Sequence, residues 1–322
     1  MKSMLISCVQ DVKRLLTNAL FWVLTATLVV IVLVVNLALP KEVALEGADL
    51  VTWNAPAGLP FGTAAQSEQA LRETVRKGGA IGFLFGADGL TIVNPGYAEQ
   101  SLNVFVLELM GGKPAAVQVE RLDPAVREMP FNLRLTPIFL CFEALMVGFT
   151  LGGALMLSEK QDGTVRALRV SPFGAWKYVA AKTVLFSLIG TLYASLISVF
   201  TVGFSIHWGA FLLLSFFGTA IFTMIGLAYT TPFRDMSGWF FSMVILLSVN
   251  MLPVISYSSP AFTPFWMRLI PSYPILMAYR GAMFGGAIDL KYTLIAVFAW
   301  TLISFGLALW FVAKKHLRGA RT

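Results

Sequence analysis

A chain of 322 residues that is 57% hydrophobic, only 13% charged and of mean hydropathy +0.76 carries about half the charge density of a soluble globular domain, which is roughly 25% charged. Much of its surface must face something other than water. The net charge of +7 lies between apolar runs, which fits the positive-inside bias of membrane proteins and argues against a nucleic-acid partner.

The first 18 residues place Leu5, Ile6, Val9, Val12, Leu15 and Leu16 at helical spacing, with Asp11, Lys13 and Arg14 between them. That pattern predicts an amphipathic helix lying in the membrane interface. Residues 19–39 are an uncharged apolar run ending at Pro40-Lys41, long enough to cross roughly 30 Å of hydrocarbon. No small-residue cleavage site follows, so the run is expected to stay as an anchor.

Residues 40–134 differ. From Lys41 to Arg134 the chain holds 8 of its 24 basic and 11 of its 17 acidic residues, so this stretch is net negative while the rest is basic. Strands are expected at Leu50–Trp53, Ala80–Phe85 and Leu90–Val93, and helices at Gln66–Lys77 and Pro95–Met110, each helix closed by a Gly-Gly pair. The alternation predicts a small α/β domain outside the bilayer.

Further spans are expected at 135–157, 178–204, 211–229, 239–255 and 292–313. A polar loop fills 158–177, a proline-rich and aromatic-rich segment forms an outer interfacial hairpin over 256–290, and 314–322 is a basic tail. The expected fold class is an all-α polytopic membrane protein of six transmembrane helices with the α/β domain inserted between the first and second spans. With the N-terminus inside, the short loops put Lys2, Lys13, Arg14, Lys160, Arg166, Arg169, Lys177, Lys182, Arg234, Lys314, Lys315, Arg318 and Arg321 in the cytoplasm and only Arg268, Arg280 and Lys291 outside. Both termini are then cytoplasmic. Cys8 and Cys141 fall on different sides or at different depths, so no disulfide is expected. Trp176, Trp208, Trp239, Trp266 and Trp310 sit near span ends, where tryptophan anchors helices at the headgroups.

The most informative stretch is the loop after the second span. It begins with opposite charges at Glu159, Lys160 and Asp162. Gly163 permits a tight turn, and Thr164 can cap a short helix over Val165–Val170 that Pro172 ends. Such a basic helix serves either to dock a cytoplasmic partner or simply to fix topology. Glu159-Lys160-x-x-Gly163-Thr164 followed by Ala167-Leu168-x-Val170-Ser171-Pro172 resembles the cytoplasmic signature of type-2 ATP-binding-cassette exporter permeases, closest to the drug and antibiotic export permeases. The resemblance implies that Glu159, Lys160, Gly163, Thr164, Val165, Arg166, Ala167, Leu168, Arg169 and Pro172 form the docking element for a separate ATPase. The amphipathic helix at 1–18 is similar to the family's elbow helix, and Ile270 through Arg280 to its outer hairpin. The resemblance is weakest over Lys41–Arg134.

Glu143 lies about eight residues into the second span, where an ionised carboxylate is costly. Two readings stand. It faces a transport cavity, or it is a structural carboxylate, either protonated or paired with Arg134, Arg268 or Arg280. Arg268 and Arg280 flank a proline-broken apolar segment and either close an outer gate or anchor at headgroups. Gly148-x-x-x-Gly152 and Gly281-x-x-x-Gly285 suit close helix packing.

The chain has no G-x-x-x-x-G-K-[ST] phosphate loop, and its only Gly-Lys pair, Gly112-Lys113, runs into Pro114. His207 and His316 are expected on opposite membrane faces, away from any shared metal. No cofactor, metal or catalytic residue is therefore expected. The function expected from the resemblance is that of a permease subunit in a prokaryotic plasma membrane, moving an amphipathic substrate outward. Its partners would be an ATPase subunit, a second permease copy or a related permease, and the bilayer. The alternatives are an ion-coupled secondary transporter and a non-transporting receptor or assembly protein.

Overall fold

The computed structural model describes residues 2–40, 50–55, 62–77, 80–86, 89–94, 117–121, 130–164, 174–258, 262–285 and 290–317. Helix α1 (Lys2–Leu16) carries the amphipathic pattern. It ends where Asn18 accepts a hydrogen bond from the Leu20 amide, capping the next helix. Among the described residues six helices are long and apolar enough to cross a membrane: α2 (Ala19–Ala38), α4 (Phe131–Gln161), α5 (Ala175–Thr201), α6 (Trp208–Thr230), α7 (Met236–Ser258) and α9 (Leu290–Lys314). Between the first and second of them lies α3 (Glu68–Lys77) with a small sheet, and before the last lies α8 (Ser272–Phe284).

The sheet has five strands, β1 (Leu50–Trp53), β2 (Thr63–Ala64), β3 (Ile81–Gly86), β4 (Gly89–Asn94) and β5 (Val117–Arg121), in the order β2-β1-β3-β4-β5. Only β3 and β4 pair antiparallel, with Gly86 opposite Gly89 at the turn. The other pairs are parallel. Helix α3 buries Leu71 and Val75 against Val51, Ala80, Leu84 and Val93. On its outer face, Arg72 bonds Glu68 one turn away and Glu120 on β5, joining helix to sheet. The helix expected over Pro95–Met110 lies outside the described residues.

Helices α4 and α6 form the centre of the bundle. They are 78% and 67% buried over their apolar windows, against 22% for α2, 28% for α7 and 17% for α9. The last three therefore keep apolar faces, such as Val29, Val30, Phe241, Ile245, Phe298 and Leu302, on the outer surface, as helices bordered by lipid do. The α4–α6 contact is made by glycines. A Cβ at Gly148 would stand 2.7 Å from the Thr219 carbonyl oxygen, and one at Gly226 2.8 Å from that of Phe149. Backbones meet there without side chains between them, so the Gly148-x-x-x-Gly152 pattern packs helices within one chain.

Helix α4 is interrupted twice. Leu135 breaks it just before Pro137, which opens the next segment, and residues Met146–Leu151 form a wider π-helical turn. The helix then continues to Gln161, one turn past the expected end of the span, because Glu159 and Lys160 find polar partners inside the protein. Helix α7 is interrupted near Pro253, which has no amide hydrogen to offer. Helix α8 has 13 residues, too few to cross a bilayer. It is buried on most of its circumference through Ile275, Leu276, Tyr279 and Met283. Its Ala282 carbonyl accepts from the His207 amide at the start of α6.

One tryptophan corrects the expectation of anchors. Trp239 is fully buried, with its ring against Gly153, while Trp176, Trp266 and Trp310 are more than half exposed or close to it. Trp239 is a core residue of the bundle. Cys8 and Cys141 are both free.

Candidate functional site

The end of α4 that carries Glu159 is the most highly charged part of the bundle's interior. Lys182 of α5 is 1% exposed. A buried ammonium is tolerated only with well-placed counter-charges, and Lys182 has two. Its Nζ donates to Glu159 Oε1 at 2.8 Å and to Asp11 Oδ2 at 3.1 Å. Tyr178 stands one turn earlier on the same face of α5 and donates its hydroxyl to Glu159 Oε2 at 2.6 Å. Arg14 completes the group, with Nη1 3.8 Å from Glu159 Oε1 and Nη2 donating to Thr164 Oγ1 at 2.9 Å. Burial pushes the Asp11 carboxyl above its ordinary pKa, with the Lys182 charge pulling the other way. Two carboxylates and two cations thus tie α1, α4 and α5 together in a neutral cluster.

Lys160 points to another helix. Its ammonium has three donors, and they go to the carbonyls of Thr230 (3.1 Å), Thr231 (2.8 Å) and Phe233 (2.9 Å). A cation at these carbonyls satisfies the end of α6 and complements its dipole. After Gln161 the chain turns through Gly163, whose φ of +69° falls in the left-handed region while nothing crowds its Cβ position. Glycine is needed there for conformation and not for space.

Of the expected docking residues, Glu159, Lys160, Gly163 and Thr164 meet at this node. Val165, Arg166, Ala167, Leu168, Arg169 and Pro172 lie outside the described residues. The sequence reading did not single out Asp11, Arg14, Tyr178 or Lys182. The signal available was a lysine one helical turn beyond a tyrosine, set inside an otherwise apolar run.

Glu143 lies elsewhere, 12 residues after Phe131 and 16 before Glu159, or about 18 and 24 Å along the helix at 1.5 Å per residue. It is 1% exposed, and neither carboxylate oxygen has a hydrogen-bond partner among the described residues. The pairing with Arg134, Arg268 or Arg280 is not made. The guanidinium of Arg280 sits 5.7 Å from the ring of Tyr257, whose hydroxyl donates to the Arg134 carbonyl at 2.6 Å. Arg268 is exposed, and its carbonyl accepts from Tyr292 at 2.7 Å. These arginines gather toward the Phe131 end of α4, opposite the node. An apolar groove of about 760 Å³ runs between α2 and α7, lined by Leu20, Met236, Phe240, Phe241, Val244 and Ile245.

A family model described as the Fluoroquinolones export permease protein family matches residues 122–318, from just before α4 to the end of α9. The chain belongs to that family. The match covers all of the spanning helices but α2, and stops short of α3 and its sheet. Among similar proteins are the fluoroquinolones export permease proteins of two Mycobacterium tuberculosis strains, CDC 1551 / Oshkosh and ATCC 25618 / H37Rv. Each is 28% identical to this permease over 152 residues, which are 46% of this chain and 64% of the relative. The chain thus spans less than two thirds of their length. No solved structure matches it. The chain is a membrane protein of that permease family, with several helices able to cross a bilayer.

Proposed function

We propose that this permease is the membrane subunit of an ATP-driven exporter, moving amphipathic, drug-like molecules out of the cytoplasm or inner leaflet while a separate ATP-binding-cassette subunit hydrolyses the nucleotide. The observation that carries the reading is the node around Glu159 and Lys160. A loop that merely fixes topology needs no cluster of three buried charges and a half-buried arginine at its root. A loop that receives force does, because the node joins it to α1, α5 and α6 at once. The lack of a phosphate loop in this chain agrees with an external motor.

In this reading residues 165–172 dock the ATPase, the chain ends face the cytoplasm, and α3 with its sheet lies on the outer side. A second permease copy or a related one completes the pathway. The relatives' names suggest fluoroquinolones as substrates. Arg166→Glu tests the docking, since it reverses a charge in the loop proposed to dock. The expected result is loss of most ATPase co-purification and of drug export, with the permease still present in the membrane. Undiminished association and export would remove the docking reading.

A further inference from the structure

Glu143 has no structural employment. An ionised carboxylate enclosed by helices with no counter-charge is so unfavourable that the group takes up a proton instead. Even as a neutral acid its two unpartnered oxygens are destabilising. A leucine or methionine would fill the position without that penalty. The residue therefore has a use in another arrangement of the helices.

Its surroundings narrow that use. Tyr193 of α5 is within electrostatic reach, and its hydroxyl is engaged by Thr25 of α2. Among the described residues no charged side chain acts on Glu143, and no group of three His, Cys, Asp or Glu could hold a metal. A lone carboxylate with no oxygen bonded to it cannot supply the six or more oxygens of a calcium site, but it suits a single organic cation with an apolar body. The side facing α6 is closed by backbone contact at Gly148. Toward α2 the link is the Thr25–Tyr193 hydroxyl pair, and α2 is itself only 22% buried. The π-helical turn Met146–Leu151 begins three residues after Glu143, and such turns recur at functional sites.

We propose that Glu143 is the binding point for the protonated amine of the exported substrate, uncovered when α2 parts from α4 and α5. On capture the carboxyl O–H breaks and its proton leaves to water. The ammonium then faces a carboxylate, so the occupied site, like the empty one, carries no net charge. The proposal rests on the export-permease reading and extends it to a substrate class.

The test is direct binding to the full-length purified permease. The probes are ciprofloxacin, a quinolone with a basic piperazine, and nalidixic acid, a quinolone without a basic amine. Glu143→Gln keeps the shape and removes the charge, and unfolding temperatures establish that the variant is folded. It should bind ciprofloxacin at least tenfold more weakly than the wild type. Glu143→Asp should recover part of the loss, and nalidixic acid should bind both proteins alike. Equal ciprofloxacin binding by wild type and E143Q overturns the proposal. So does a parallel loss of both compounds, or a wild-type protein that binds neither. Co-purification of the ATPase is measured alongside. If it persists while binding ignores Glu143, the export reading stands without this site. If it is absent while binding depends on Glu143, the site stands without the ATPase.

Discussion

Lys182 is buried because side chains of two other helices, α1 and α4, make it possible, and removing its charge shows what they are worth. Lys182→Met leaves Asp11 and Glu159 facing each other in the interior without a cation between them. Breaking a buried pair in this way destabilises by about 3–5 kcal/mol. The unfolding temperature of the purified protein should fall, and combining Lys182→Met with Asp11→Asn and Glu159→Gln should restore most of the loss. A triple variant no better than the single one would show that the cluster is not a matched unit. The single sequence revealed only part of this. Glu159 and Lys160 stood out as charges beside an apolar run, but Lys182 read as one more basic residue near a span end. Its partner Asp11 is 171 positions away, and only the packing of α1 on α5 brings the two together. Glu143 was legible as singular. What the sequence left open, whether an arginine neutralises it, depended on which way α4 turns that face.

Among the elements, α4 shows most clearly where hydropathy stops being informative. The apolar runs located every spanning helix, since a stretch of about 20 such residues has few other uses. The helix nevertheless continues beyond its apolar run, because Glu159 is polar to a reader yet buried in the fold, and Lys160 beside it is held by three carbonyls. The small sheet tells the same story. Strands β1, β3 and β4 follow from their apolar, β-branched composition. Strand β2 is two residues long and pairs parallel with β1, a non-local contact that leaves no mark on so short a segment. Packing of α4 on α6 gives an element-level prediction. Gly148→Val places methyl groups where the Thr219 carbonyl and Thr223 amide already stand. Overpacking of this kind destabilises by about 1–3 kcal/mol. The expected outcome is a lower unfolding temperature and reduced drug export, whereas the same change at Gly209, where nothing lies near the Cβ position, should leave both almost unaltered.

For the whole molecule the testable matter is sidedness. We propose from the distribution of basic residues that the loop after α4 lies inside and α3 with its sheet outside. With Cys8 and Cys141 replaced by serine and alanine, single cysteines at the exposed positions Gln69 and Asp162 report it. A membrane-impermeant maleimide added to intact cells should label the Gln69→Cys protein at once. It should reach Asp162→Cys only after the membrane is opened. The reverse pattern would invert the topology and take the ATPase-docking proposal with it.

Glu159 and Lys160 are neighbours in sequence and so point about 100° apart around α4, one fastened toward α1 and α5 and the other toward the end of α6. Two moorings at different compass bearings restrain a rod against spinning but let it lean. A pull on the segment beyond Gln161 is thereby converted into tilt of α4 with α1, α5 and α6 carried along, a lever stroke and not a screw.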